Sequence, residues 1–266
     1  MGEPDSNDAW ALVEQRRRAR EARDYRLADE LRDRIAALGF EVLDTPDGTE
    51  LIPAAAPPAE VSVLVDTEGW PEDAARFLAS FDRHRGDSAV EVVPANQGPD
   101  LGFGAAKNRA LARAGGNLVV LVDTSLEITG DLLGALAAAL GDPTVAVAGP
   151  FGLVSADLRD YEERTAGDVV AVQGYCLAAR RADLVAVGGV RESFAFYRNA
   201  DIDLSLRLRT LHDPVRRAVA VAAEHCRRYS HRAWEATPEA ERAELSRRNM
   251  RRVHKRFLGR EDLTVP

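Results

Sequence analysis

Residues 101–133 read LGFGAAKNRALARAGGNLVVLVDTSLEITGDLL, and this stretch decides the fold. Gly104 to Ala114 reads as a helix, closed by the Gly115-Gly116 pair. Asn117 to Val122 is too short and too apolar to be anything but a buried strand. Asp123-Thr124-Ser125 follows directly at the strand's C-terminal end. Thr129 then caps a second helix, running from about Gly130 to Leu140.

The same alternation continues outward on both sides. Val61–Val65 is a strand, Pro71 opens a helix to about Phe81, and Ala89–Val93 is a second strand. Val145–Ala148 is a further strand, Asp201–Arg209 a helix and Arg216–Val221 a strand, and Pro238 opens a long terminal helix at its first position. Strands alternating with helices predict an α/β fold with a mostly parallel sheet flanked by crossover helices. In such sheets ligands bind outside the C-terminal strand ends. Carboxylates fall at two such ends, in Asp66-Thr67-Glu68 and at Asp123. A carboxylate so placed either caps the following turn or holds a hard divalent cation that neutralises a diphosphate.

The Ala/Pro-rich run LIPAAAPPAE (51–60) separates a front module, residues 1–52, from a main domain, residues 61–266, with residues 53–60 as linker. The module reads as two helices and a short strand. Asn7 or Asp8 caps the first helix, whose apolar positions are Trp10, Leu12, Val13, Ala19 and Ala22. Leu27, Ala28, Leu31, Ile35 and Leu38 mark the second, ended by Gly39, and Thr45-Pro46-Asp47-Gly48 reads as a turn.

The formal net charge is −8, unevenly spread. From Arg216 onward thirteen Lys/Arg face seven Asp/Glu, while the front module carries eight Arg against thirteen Asp/Glu. The acidic body and module speak against nucleic-acid binding, which needs cationic surface. The basic C-terminal helix suits peripheral contact with an anionic membrane or, more simply, a solvated face. No apolar run reaches the ~18–20 residues of a membrane helix, and the N-terminus lacks signal-peptide features, so the expected location is cytoplasmic, with membrane association through that helix. Cys176 and Cys226 lack metal-type spacing and read as reduced thiols.

The order of motifs in the main domain resembles the family-2 glycosyltransferases, which have the GT-A fold. A G-x-A-x-x-N helix there precedes a strand ending in a metal-binding D-x-D motif. Gly104, Ala106 and Asn108 match the helix, and Asp123-Thr124-Ser125 takes the D-x-D place, with Ser125 replacing the second Asp. VSVLVDTEGWPE (61–72) matches the family's opening strand and loop. QGYCLAAR (173–180) with Val187-Gly188-Gly189, and FYRNADIDLSLRLR (196–209), match the acceptor half, with Ala200 replacing a Glu. RRYSHRAWE (227–235) and ERAELSRRNMRRVHKRF (241–257) are similar to the tail of bacterial members.

That resemblance implies a transferase moving a sugar from a nucleotide-sugar donor to a glycan or glycolipid acceptor, with inversion, in cell-envelope polysaccharide synthesis. It implies Asp201 as catalytic base and a divalent cation, Mn2+ or Mg2+, held by Asp123 and His231. Thr67, Glu68, Asn96, Lys107, Asp123 and Ser125 would contact the donor. Asp201, at a helix start, would stay ionised. The departures at Ser125 and Ala200, and the lack of a base-reading Asp after the second strand, leave a second reading open, a degenerate domain that senses a nucleotide sugar or scaffolds a partner. The string RRRAREARDYRLADELRDRIAALGFEVLDTPDGT (16–49) resembles the C-terminal module of cysteinyl-tRNA synthetases, which makes tRNA contact a third reading.

Overall fold

The computed structural model describes residues 6–38, 40–45, 48–53, 59–98 and 101–266. The chain divides into two compact units, Met1–Pro57 and Pro58–Pro266.

In the first unit, helices α1 (Ser6–Glu21) and α2 (Tyr25–Ala37) precede an antiparallel hairpin of β1 (Phe40–Thr45) and β2 (Gly48–Pro53). Leu12, Val13, Ala28, Leu31, Ile35 and Phe40 form its core. Trp10, Leu27 and Leu38, expected on the buried stripe, are exposed. A unit this small has one narrow seam to fill, and the wider stripe overhangs it. Asn7 and Asp8 lie inside the first turn of α1 rather than capping it. Asp24 caps α2, accepting from the Leu27 N–H at 3.0 Å. Gly39 and the turn residues Pro46 and Asp47 lie outside the described residues. Asp44 pins the hairpin to α1. It accepts a two-pronged bond from Arg16 at 3.0 and 3.2 Å, and also pairs with Arg20. The Arg16 guanidinium draws the Asp44 carboxyl down to about 2.

The second unit begins with β3 (Val61–Val65), α3 (Pro71–His84), β4 (Val90–Pro94), α4 (Phe103–Leu111) and β5 (Leu118–Val122). There follow β6 (Leu126–Ile128), α5 (Leu132–Gly141), β7 (Val145–Gly149), β8 (Gly152–Val154), β9 (Glu162–Arg164), β10 (Gly167–Val169) and β11 (Ala171–Val172). The last portion holds β12 (Cys176–Arg180), α6 (Arg181–Ala186), α7 (Ala200–Arg209), β13 (Arg217–Ala220), β14 (Cys226–Arg228), α8 (Arg232–Ala236) and α9 (Glu239–Phe257).

The central sheet has seven strands in the order β10–β13–β7–β12–β5–β3–β4. Five run one way, and β12 and β10 run against them. Side chains alternate across it. Val119 and Leu121 of β5 join Leu177 and Ala179 of β12 on the face covered by α4, α6, α7 and α9, while Val120, Val122, Cys176 and Ala178 meet Phe77 and Phe81 of α3 and Leu132 and Leu136 of α5. Pro94 is tolerated in β4 because that strand is the sheet's edge. The α5 cap is Asp131, which accepts from the Gly134 N–H at 2.8 Å, so Thr129 does not serve as expected; its hydroxyl turns to the Glu224 carbonyl. Among the described residues, no helix is long and apolar enough to cross a membrane.

The reversed strand β12 sets up the site. Lying antiparallel to β5, it pairs Cys176 with Val122, and the Asp123 N–H donates to the Tyr175 carbonyl at 3.0 Å. Gly174 and Tyr175 therefore sit beside the C-terminal tip of β5.

Candidate active site

Asp123 leaves β5 into a tight turn. Its Oδ1 accepts from the Ser125 N–H at 2.8 Å and from the Ser125 hydroxyl. Its Oδ2 faces His231 Nε2 at 3.0 Å. Burial alone would raise the Asp123 pKa, but the bonds from His231 and Ser125 outweigh it and hold the carboxyl below its usual range. The His231 ring lies flat against Tyr197, with centroids 4.0 Å apart and planes 8° apart. Its Nδ1 is buried without a hydrogen-bond partner, so stacking, rather than a bond at the other ring nitrogen, fixes the imidazole.

Asp201 lies in the first turn of α7, whose cap position is Asn199 in a left-handed conformation (φ 66°). The Gly174 N–H donates to Asp201 Oδ2 at 2.8 Å, and the Ile202 N–H to Oδ1 at 2.9 Å. These bonds do not keep the carboxyl at its ordinary value. Burial pushes its pKa up despite them and despite Arg198 nearby, contrary to the expectation from the helix dipole alone.

Lys107 is buried, 6% exposed. Its Nζ donates to the carbonyls of Leu64 and Val122, each at 3.3 Å, at the tips of β3 and β5. Burial brings its pKa down to about 8, against the pull of Asp123 and Asp66. Asp123, Asp201, Lys107 and His231 all line one cleft, which holds about 1170 Å3 of atom-free space with its open mouth included.

The other sequence candidates lie at the cleft's corner. The Asn96 side-chain oxygen accepts from the Thr67 N–H at 2.8 Å and from its hydroxyl at 3.2 Å. Asp66 takes the N–H groups of Glu68 and Gly69 at 3.0 and 2.9 Å. Asn96 thus ties the loop after β3 together, and the residues that line the cleft here are Asp66 and Gln97 rather than Thr67, Glu68 or Asn96. Ser125 lines the cleft.

Tyr197, Tyr175 and Arg198 line it too and were missed in the sequence. The signal was present in the aromatic run Phe194–Tyr197 just ahead of Asp201. The helix motifs turn out to be braces. The Asn108 carboxamide makes both bonds to the Val190 backbone, at 2.7 and 2.8 Å, and a Cβ on Gly104 would overlap the Arg191 carbonyl oxygen. Asn249 of α9 donates to the carbonyls of Phe196 and Arg198, at 3.0 and 2.8 Å, and Asn199 donates to the Ser246 carbonyl at 3.0 Å. These bonds hold the segment that presents Tyr197 to His231. Asp203 is fully buried against Arg207 at 2.7 Å, and Arg207 donates to the carbonyls of Val187 and Gly189.

Among the described residues no group of three or more His, Cys, Asp or Glu could hold a metal. Asp123 and His231 offer one oxygen and one nitrogen 3.0 Å apart, the ~3 Å spacing of neighbouring ligands in an octahedral shell of ~2.1 Å bonds. They fit a divalent cation only if a bound diphosphate and water complete its shell.

Comparison with known proteins separates the two units. Residues 6–50 match the family described as cysteinyl-tRNA ligase anticodon binding domain. The chain is 56% identical over 45 residues to cysteine–tRNA ligase of Salinibacter ruber, and 50% identical over 44 residues to that of Nitratidesulfovibrio vulgaris. Each match covers about a sixth of this chain (17% and 16%) and spans 9% of the relative's length. The second unit has the GT-A fold. The structure of GalNAc-T7 with UDP, GalNAc and Mn2+ aligns with a TM-score of 0.56 at 12% identity, over 74% of this chain and 48% of that one. A mutant of Drosophila β1,4-galactosyltransferase 7 with manganese, UDP-Gal and xylobiose aligns with a TM-score of 0.50 at 14% identity, over 70% of this chain and 79% of that one.

Proposed function

We propose that the Pro58–Pro266 unit is a nucleotide-sugar-dependent glycosyltransferase acting on an acceptor hydroxyl with inversion at the anomeric carbon. One observation carries this reading: a strand-tip carboxylate, Asp123, and a helix-start carboxylate, Asp201, line the same cleft with His231 and Lys107. The nucleotides, sugars and manganese in the two neighbouring GT-A structures support it.

Asp201 takes the acceptor hydroxyl proton as the new oxygen–carbon bond forms. The bond from the anomeric carbon to the donor's diphosphate oxygen breaks, and the nucleoside diphosphate leaves with the electron pair. A carboxylate whose pKa is raised by burial is a better base for this step than an ordinary one. The Lys107 ammonium, fixed beneath the strand tips, offsets negative charge on the departing diphosphate. Asp123 and His231 would hold a divalent cation, which when bound supplies further neutralisation of that leaving group. Asp66 and Trp70, on the loop that Asn96 ties through Thr67, wall the nucleoside end.

One observation favours a second reading, a domain that binds a nucleotide sugar without turnover. Both Asp123 oxygens already have protein partners in Ser125 and His231. Titration with UDP-, GDP- and dTDP-sugars, with and without manganese, separates the two when thermal shift and nucleoside diphosphate release are followed together. Metal-dependent binding with release is expected. Binding without release supports the silent reading, and no shift with any donor refutes both.

A further inference from the structure

The cleft's rim carries positive charge that the donor chemistry does not use. Arg198, exposed and lining the cleft three residues before Asp201, pairs with no carboxylate among the described residues. Its guanidinium carbon lies 5.2 Å from the centre of the Trp234 ring. Arg242 of α9 lies 4.7 Å from the same centre and also has no carboxylate partner among the described residues; its one side-chain bond is to the Trp234 carbonyl at 3.2 Å. Two guanidinium groups sharing one indole are therefore within about 10 Å of each other and repel unless an anion lies between or beside them. A third, Arg232, also lines the cleft and is half exposed; its Nε is committed to Asp73 at 3.0 Å.

Arg198 lies just ahead of the base in the chain, while Arg232 and Trp234 belong to α8, whose cap position is His231. Arg198 acts electrostatically on Asp201, opposing the burial that raises its pKa. Asp123, His231 and Lys107 are the donor's residues under the reading above, and the Tyr197–His231 stack joins them to Arg198. An exposed, uncommitted guanidinium with a planar donor fork is suited to a phosphate oxyanion. The backbone that carries it is rigid, because Asn249 of α9 holds the Arg198 carbonyl at 2.8 Å.

We propose that Arg198 is the anion-recognition residue of an acceptor subsite, and that the acceptor is a phosphate ester rather than a neutral sugar. The inference rests on the transferase reading for its name as an acceptor site. Trp234 is the platform beneath the guanidinium, and Arg242 adds a second charge from behind it. The phosphate can be carried by a soluble molecule or by a lipid headgroup, and the chemistry at Arg198 is the same.

Trp234 supplies the readout. Its fluorescence is titrated with glycerol 3-phosphate, with glycerol as the neutral control, in the full chain carrying Trp10→Phe and Trp70→Phe. A parallel arm uses phosphatidylcholine vesicles with and without phosphatidic acid. Saturable binding of the phosphate probe and none of glycerol is expected. Arg198→Gln should weaken it ~10–100-fold, the loss of one charge-assisted bond to a charged group. Arg198→Lys should recover part, and Arg242→Gln should weaken it less. UDP and GDP affinity with manganese should differ by less than ~3-fold between wild type and Arg198→Gln. Binding confined to the vesicles assigns the phosphate to a lipid and supports the proposal. Equal binding by wild type and Arg198→Gln overturns it, as does an equal loss of nucleotide affinity, which would make Arg198 a donor contact. Arg198-dependent phosphate binding without any nucleotide-sugar binding supports the anion site and sinks the transferase reading instead.

Discussion

Replacing Asn249 by Ala tests how the fold delivers its cleft residues. The Asn249 side chain is wholly buried, and its NH2 group donates to the carbonyls of Phe196 and Arg198, while its oxygen accepts from Arg252 at 2.9 Å. Ala removes both donors and leaves unpaired two carbonyls, one on a half-buried and one on an exposed residue, at ~1–2 kcal/mol each. Its better helix propensity in α9 returns ~0.5 kcal/mol. The expected net loss is about 1.5–3.5 kcal/mol. With a urea slope of ~2 kcal/mol/M, the midpoint should fall by about 1–2 M. A Trp10→Phe background confines the fluorescence signal to Trp70 and Trp234, both in the second unit, so that unit's transition is read alone. Asn249→Asp should be worse than Ala, since it aims a carboxylate at two carbonyl oxygens. A midpoint shift below ~0.25 M would refute the reasoning, because α9 would then not be what holds residues 196–199.

Two further substitutions probe the interior. Asp203→Ala should cost ~3–5 kcal/mol of unfolding free energy, because it strands the buried Arg207 charge; a loss under ~1 kcal/mol would show that pair to be dispensable. Lys107→Met should abolish a specific pH dependence. The folded pKa of about 8 lies below the ordinary 10.5, so at pH 7 the buried ammonium is charged in both states and its cost is fully present. As pH rises from about 8 to 10.5 the folded form sheds the proton first, and wild type should gain stability relative to Lys107→Met across that window alone. Parallel stability–pH curves for the two proteins would contradict this.

Much of the fold was legible because β3, β5 and β7 are runs of Val, Leu and Ala that bury both faces, and such runs stand out without any alternation. β12 did not stand out. Its sequence, CLAAR, is dominated by small residues of weak strand preference, and only its neighbours β5 and β7 make it a strand. The short strands β6, β8, β9, β10, β11 and β14 span two or three residues each and carry no period to read. In the site, Asp123 and Asp201 were legible as carboxylates at a strand end and a helix start, Lys107 and His231 only through the family resemblance, and all four line one cleft. The roles of Asn96, Asn108 and Asn249 were not, because a carboxamide that braces a distant backbone looks the same in sequence as one that meets a ligand. The raised Asp201 pKa was equally hidden, since burial is a property of the assembled cleft.

Asp201→Asn tests the central claim most directly. Asn keeps the shape and can still accept from Gly174; its NH2 cannot take the Ile202 N–H, a loss of ~1 kcal/mol set against removal of a carboxylate that burial disfavours, so the variant should stay folded at neutral pH. In wild type, turnover should fall as pH drops through the raised Asp201 pKa, above the usual carboxylate range. With the best donor from the nucleotide-sugar series and its acceptor, the variant's rate should drop ~10²–10⁴-fold while donor affinity changes less than ~3-fold. A variant that turns over at the wild-type rate would contradict the account.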